Sequence, residues 1–317
     1  MKSQGTLVLY LSAERGNRMK NLFIVNPNAG AKQAVTNLPK ILDLFTENGE
    51  ISSVYLTEAK GDGVKLAADH ASPEHFDRAI CIGGDGTFNE VMTGLMLAGH
   101  DIPIGYIPAG TANDLASSLN LSKNMAQAAK DILEGDIIPI DIGKFNESYF
   151  AYIASFGAFT RASYSTPQSS KNIFGHFAYI MEAVKELPAI KPEYIKIETG
   201  GNTIEGEYIF GAFSNTKSMG GVLALDPGAV DMSDGMFEAL LIKPLDNVQA
   251  VWECLYSLLN QDYGSEHITF FKTSGAVISP DPKMDWTLDG EHADGREVIE
   301  IQNLRRAVRV IVKLEDC

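Results

Sequence analysis

Cysteine, histidine, positive charge and long apolar runs are all scarce in this chain of 317 residues, and each scarcity excludes something. The three cysteines, Cys81, Cys254 and Cys317, lie far apart. That spacing suits neither a disulfide framework nor a zinc site, and a reducing cytoplasm is the simplest setting. Six histidines are scattered without triad or metal-ligand spacing. The 26 Lys and Arg face 41 Asp and Glu, a formal net charge of -15. Affinity for nucleic-acid backbones rests on phosphate neutralisation by Lys and Arg, so nucleic acid is not expected as a partner, and strong adsorption to anionic membranes is disfavoured. No apolar run reaches the ~20 residues that span a bilayer. The early stretch "TLVLYL" is too short for a signal-peptide core and runs into the charged "SAERGNRMK". Residues 1–18 are read as an extension of unassigned role before a domain that starts near Met19.

What is present is a change of texture near residues 136–142. Over residues 20–138, short apolar runs such as "NLFIV", "ISSVYLT", "RAICI" and "IPIGYI" alternate with helical patterns. In the first of these, Ala34, Leu38, Ile41, Leu42 and Phe45 recur at helical spacing. Such alternation predicts an α/β domain with a mostly parallel sheet covered on both faces. Residues 139–303 are instead strand-rich. One hairpin is predicted around Asn146 and another at Gly200 to Asn202. Two helices interrupt the strands, near 174–187 and near 246–260. The basic strand "LRRAVRVIVKL" is expected to pack back on a sheet, and residues 304–317 are a candidate to complete the first domain.

Three turns in the first domain share one design, each leading from the carboxyl end of a strand to the start of a helix, where open α/β sheets bind ligands. They are "NPNAG" (26–30), "GGDGT" (83–87) and "PAGTAND" (108–114). In the second, Gly83, Gly84 and Gly86 allow a phosphate to approach backbone N–H groups, and Thr87 with Glu90 has the spacing of a capping box. The amides and dipole at a helix start then favour an anion. One such loop is as well explained by a tight turn; three on one sheet edge favour an anion site. Neither G-x-G-x-x-G nor G-x-x-x-x-G-K-S/T is present, so a dinucleotide site and a Walker loop are both poorly supported.

Asp85 is the discriminating residue. A carboxylate at contact distance would repel a bare phosphate by about 1 to 4 kcal/mol for effective dielectrics of 80 to 20. A divalent cation reverses the sign, and Mg²⁺ favours a few carboxylate ligands with phosphate oxygens and waters. A metal-bound triphosphate therefore explains an acid at this place. The plainer alternative is a capping or turn residue, a role that Ser or Asn would fill equally well.

"NPNAG", "TEAKGD" beginning at Thr57, "GGDGTFNEV" and "PAGTANDLA", in this order, resemble the diacylglycerol kinase catalytic-domain family, which includes sphingosine, ceramide and bacterial lipid kinases. The resemblance spans about residues 20–317; "GGDGT" alone is shared with NAD kinases. It implies a Rossmann-like α/β nucleotide-binding domain followed by a β-sandwich domain, with ATP as phosphoryl donor and Mg²⁺ as cofactor. The nucleotide contacts it implies fall on Asn26, Pro27, Asn28, Ala29, Gly30, Thr57, Gly83, Gly84, Asp85, Gly86, Thr87, Asn89, Glu90 and Thr111. Members often carry an Asp shortly after a "GxG" near residue 157, where this chain has Ala158, Phe159 and Thr160. That departure weakens any reading of acceptor recognition from the segment 155–180.

Two acidic turns of the second domain complete the picture. "DMSDGMF" has the composition of a solvated hairpin turn; the resemblance assigns Mg²⁺ to Asp231, Asp234 and the backbone carbonyl of Met236. In "DWTLDGE", strand alternation would place Asp285, Thr287, Asp289 and Glu291 on one face. The resemblance makes Asp289 the general base, with Glu291 assisting. A positioned base contributes about 10²- to 10⁴-fold. The resulting expectation is a lipid kinase that meets its substrate transiently at a membrane surface, most simply converting diacylglycerol to phosphatidic acid; a homodimer is compatible with it. The alternatives are an NAD kinase-like enzyme with a soluble acceptor and a non-catalytic nucleotide-binding regulator.

Overall fold

Apolar runs too short for buried helices form the strands of the first unit. In the computed structural model, which describes residues 18–157, 191–216, 218–219, 223–224 and 230–314, the chain divides into Met1–Ile140 with Ala307–Cys317, and Asp141–Arg306. The first unit runs β1 (Lys20–Val25), α1 (Ala29–Glu47), β2 (Ile51–Leu56), α2 (Asp62–His70), β3 (Arg78–Gly83), α3 (Asp85–Ala98), β4 (Ile104–Pro108), α4 (Asp114–Ser118) and α5 (Met125–Glu134). Its strands lie in the order β2-β1-β3-β4, all parallel. Near the end of the chain, Val310 and Ile311 extend this sheet, parallel to Ile104 and Gly105. Leu22 to Val25 and Ala79 to Ile82 have no exposed surface, as expected for strands covered on both faces. The predicted stripe of α1 supplies Ala34, Ile41, Leu42 and Phe45 to the core, with Leu38 packed at its margin.

The second unit is antiparallel, and two of its strands, the first and the last, run on into the first unit at Asp136–Ile140 and Ala307–Val312. It contains β5 (Asp136–Phe145), β6 (Ser148–Phe150), β7 (Ile153–Gly157), β8 (Glu193–Thr199), β9 (Asn202–Tyr208), β10 (Phe210–Ser214), β11 (Ser218–Met219), β12 (Leu223–Ala224), β13 (Phe237–Ile242), α6 (Val248–Leu259), β14 (Ile268–Thr273), β15 (Gly275–Ser279), β16 (Trp286–Leu288), β17 (Glu291–Ala293) and β18 (Ile299–Val312). One sheet has the order β14-β13-β10-β7-β16-β17. The opposing layer is built from β18, β15, β8 and β9 with the β5–β6 hairpin. Phe156, Phe213, Phe237 and Trp286 of the first sheet meet Phe145, Phe150, Ile195, Ile197 and Ile278 of the second in one core, which makes the unit a sandwich.

Hairpin register follows turn chemistry. Phe145 pairs with Ser148 around Asn146, and Thr199 pairs with Asn202 around Gly200 and Gly201. Asn146, Gly200 and Gly201 have positive φ, the conformation that two-residue hairpin turns demand. An α/β unit followed by an antiparallel sandwich is the fold class read from the residues. The helix predicted near 174–187 and most of the segment 155–180 lie outside the described residues, as do residues 1–17. Among the described residues no helix is long and apolar enough to cross a membrane.

Candidate active site

The three glycine-bearing loops meet at the carboxyl ends of β1, β3 and β4, and their glycines allow the meeting. Gly30 has φ +59°, and a Cβ there would lie 2.5 Å from the Ala109 carbonyl oxygen. A Cβ on Gly110 would come within 2.5 Å of the Gly84 Cα, backbone that cannot give way. The Ala109 N–H donates to the Gly83 carbonyl at 2.7 Å. Asn26 accepts the Asn28 N–H at 3.0 Å and donates its amide to Thr87 Oγ1 at 3.4 Å. Thr57 joins from the end of β2, buried, with its N–H on the Val25 carbonyl at 2.9 Å. Thr111 is exposed on the third loop. The residues assigned to nucleotide thus converge on one edge of the parallel sheet, and close loop packing is a second reason for the glycines.

The capping box expected from Thr87 and Glu90 does not form. Helix α3 begins earlier, at Asp85, with extended Gly84 as its N-cap and no side-chain cap. The Glu90 carboxylate instead reaches across to the start of α2 and accepts the N–H groups of Gly61 and Gly63 at 2.7 and 3.0 Å. Asn89, half-buried one residue earlier, accepts the Thr93 hydroxyl at 3.4 Å. An uncapped helix start beside two glycines is suited to an anion.

Asp85 also does a local task. Its carboxylate accepts the Asp114 N–H at 3.0 Å, with the Leu115 N–H and the Tyr106 hydroxyl at 3.4 Å. It therefore caps α4, whose own N-cap Asn113 is left-handed and makes no side-chain cap. The plainer reading of Asp85 as a cap is realised, although on a different helix from its own. The residue remains half-buried at the loop edge.

In the second unit, the "DMSDG" turn holds itself together. Asp231 Oδ1 accepts the N–H and the hydroxyl of Ser233, both at 2.9 Å, and these bonds hold its carboxyl below the ordinary range. Asp234 Oδ1 accepts the Met236 N–H at 2.8 Å, and Lys272 lies 3.8 Å from Asp234 Oδ2. Two carboxylates and the Met236 carbonyl on one turn are all oxygen donors, a set whose chemistry suits Mg²⁺. Among the described residues, the trio of His and acidic side chains close enough to share an ion is elsewhere, at Glu253, Glu266 and His267. Mg²⁺ at the Asp231 turn would therefore lean on the backbone carbonyl and water.

The "DWTLDGE" segment is not one strand face. Asp289 and Gly290, both with positive φ, form the two-residue turn between β16 and β17, and Leu288 pairs with Glu291. A strand alternation cannot pass through a hairpin turn: Thr287 lies opposite His292, which also meets Asp285 at 3.3 Å, whereas Glu291 lies opposite Leu288, so Asp289 and Glu291 do not continue the face of Thr287. Asp289 is 6% exposed. Its oxygens accept the N–H groups of Ala151, Tyr152 and Ile153 at 2.6, 2.9 and 3.0 Å. Glu291 is exposed at the start of β17.

Comparison with known proteins decides the family. Residues 20–145 match the diacylglycerol kinase catalytic domain. The diacylglycerol kinase of Bacillus subtilis (strain 168) is 32% identical over 293 residues, covering 92% of this chain and 96% of that protein. The chain belongs to the diacylglycerol kinase family. The diacylglycerol kinase of Staphylococcus aureus (strain MRSA252) is likewise 32% identical, over 295 residues and 92% of both chains. A crystal structure of a diacylglycerol kinase from Bacillus anthracis str. Sterne shares the fold, with a TM-score of 0.72 at 24% identity over 94% of this chain and 98% of that one.

In this kinase the residues that sequence reasoning missed sit behind the turns it found. Asp141 has no exposed surface and accepts the Gly235 N–H at 2.6 Å and the Arg306 N–H at 2.7 Å. Burial pushes its carboxyl up, against the pull of those amides. Glu238 is 1% exposed and is likewise pushed up by burial, with the Lys272 ammonium 3.0 Å away on the neighbouring strand. The signal for Asp141 was an acid inside the apolar run "IPIDIG". Such an acid must find buried donors, and here one comes from the metal-candidate turn, at Gly235, and the other from β18, at Arg306.

Proposed function

We propose that this kinase is Mg²⁺-dependent and transfers the γ-phosphoryl group of ATP to a lipid hydroxyl, with diacylglycerol as acceptor and phosphatidic acid as product. The observation that carries the reading is the convergence of three glycine-bearing loops and an uncapped helix start on one sheet edge, with an acid among them. The first unit would hold the triphosphate through the amides of residues 26–30 and 83–87, with Asn26, Thr57 and Thr111 as neutral hydrogen-bond partners. Mg²⁺, held by Asp231, Asp234 and the Met236 carbonyl or carried in with the nucleotide, would neutralise phosphate charge. In the transfer, the acceptor oxygen bonds to the γ-phosphorus, the bond to ADP breaks, and the hydroxyl proton passes to a carboxylate of the chain.

Two carboxylates compete for that proton. Asp289 is buried and accepts three amides, and its first effect is to fix the hairpin. Glu291, exposed two residues on, is the better-placed acceptor, with Asp289 positioning it. Incubation with Mg-ATP and a panel of diacylglycerol, sphingoid base, phosphatidylglycerol and NAD tests the reading, and labelled phosphate is expected in phosphatidic acid. Label appearing in NAD alone would move the chain to a soluble acceptor, and ATP binding without any product would leave a regulator. Glu291→Gln is expected to lower kcat at least 100-fold with ATP affinity and folding unchanged; a normal kcat returns the base role to Asp289.

A further inference from the structure

The turn that offers oxygens to a cation has an ammonium beside it. Asp234 leads through Gly235 and Met236 into β13, where Glu238 is an acid inside the apolar run "MFEALLI". Strand β13 lies between β10 and β14, so Glu238 is flanked by Ser214 on one side and Lys272 on the other. Opposite charges directly across an antiparallel pair attract, and the Lys272 ammonium sits 3.0 Å from Glu238 Oε1. The same ammonium is 3.8 Å from Asp234 Oδ2. One cation is therefore shared between a buried acid of the strand and a half-buried acid of the turn.

The strand does not need this arrangement for its own sake. A buried ion pair is often no more stabilising than apolar side chains of the same volume, and the other residues of β13 are all apolar. The effect of the pair falls on the turn. A divalent cation on Asp234 would stand close to the Lys272 ammonium, which opposes it twice, by repulsion and by competing for the same carboxylate oxygen. Glu238 acts the other way, drawing the ammonium off Asp234 and placing a negative charge behind the turn. Lysine suits such sharing, because its ammonium is a point charge on a flexible stem and is not tied to one carboxylate by a planar fork. Arg305 and Arg306 also reach the turn, where each donates its Nε–H to the Ser233 carbonyl, at 3.3 and 3.4 Å.

We propose that Lys272 and Glu238 are positioning residues that set the affinity of the Asp234 turn for Mg²⁺ with opposite signs, Lys272 lowering it and Glu238 raising it. The inference rests on the Mg²⁺ reading above. It adds how the turn would release its cation as readily as it takes it, since an ammonium held close by Glu238 is at hand to replace the metal on Asp234.

Mn²⁺ shares the preference of Mg²⁺ for octahedral oxygen ligands and is the probe. Its binding to the full chain, without nucleotide, is read from the loss of the free-ion electron paramagnetic resonance signal. The site is defined as the binding that Asp234→Asn abolishes, which separates it from the trio of Glu253, Glu266 and His267. Lys272→Met should tighten Mn²⁺ binding roughly tenfold, Glu238→Gln should weaken it roughly tenfold, and the double variant should return close to the native value. A merely structural pair would weaken binding in both single variants, because either loss would loosen the turn.

Melting in EDTA reports whether each variant folds. Should Lys272→Met not fold, the double variant is compared with Glu238→Gln, and removal of Lys272 must still tighten binding. Shifts of the same sign in the two single variants, no shift in either, or a double variant no tighter than Glu238→Gln would overturn the inference and keep the metal at the turn. Mn²⁺ binding that Asp234→Asn leaves whole removes the metal from the turn, and both readings fall together.

Discussion

The glycine-rich edge of the first unit and the Asp-Gly turn of the second use one device at two depths. In each, a carboxylate in a loop receives backbone N–H groups. Asp85 is half-buried and takes two amides from α4; Asp289 is 6% exposed and takes three amides from the segment entering β7. A carboxylate at a rim caps a helix and keeps part of its surface in water. A carboxylate sealed inside a turn has its charge absorbed by the fold. Motif chemistry alone therefore does not assign a catalytic role to an acid; burial and donor count divide positioning groups from reacting ones.

The sharpest test of this contrast is Asp289→Ala. Three buried N–H groups would lose their acceptor, and we expect about 3–5 kcal/mol of lost stability in urea unfolding, with turnover lost alongside. An unchanged unfolding midpoint would remove Asp289 from its anchoring role. Gly110→Ala comes next, because its Cβ would press on the Gly84 backbone. Parting the two loops should cost about 1–3 kcal/mol and weaken binding of a fluorescent ATP analogue by roughly tenfold or more. Full nucleotide affinity in this variant would mean that the loops do not act together.

Asp85→Asn should be milder in stability, about 1 kcal/mol through the α4 cap. Its main effect is expected in the Mg²⁺ dependence of turnover, and an unaltered Mg²⁺ titration would reduce Asp85 to a cap. The smallest effect compares the interiors of the two units. Burial pushes the Cys254 thiol up to about 11, and burial with Glu90 and Asp85 nearby pushes Cys81 higher still. Neither should be alkylated by iodoacetamide at pH 8 in the native protein, as read by peptide mapping. Labelling of one before the other would identify the unit that opens first.

Much of the fold was legible in the residues because its signals are local. The stripe of α1, the strands leading into each glycine loop and the turns at Asn146 and Gly200 are set by side chains within a few positions of one another, through helical or strand period and through the need for positive φ. The family could be read in the same way from four short motifs in order. Partners were not legible in this way. Glu90 has the spacing of a capping box yet binds amides 27 and 29 residues away. Asp289 matches a strand alternation yet turns the hairpin and binds amides 136 to 138 residues away. Asp141 gave no sign of the Gly235 and Arg306 amides it holds across 94 and 165 residues. Short-range sterics and periodicity dictate which element a residue enters, and the chain encodes these directly. Which donors meet a buried carboxylate depends on how distant segments pack, because an unpaired charge in the interior is costly and is stabilised only where packing brings N–H groups to it.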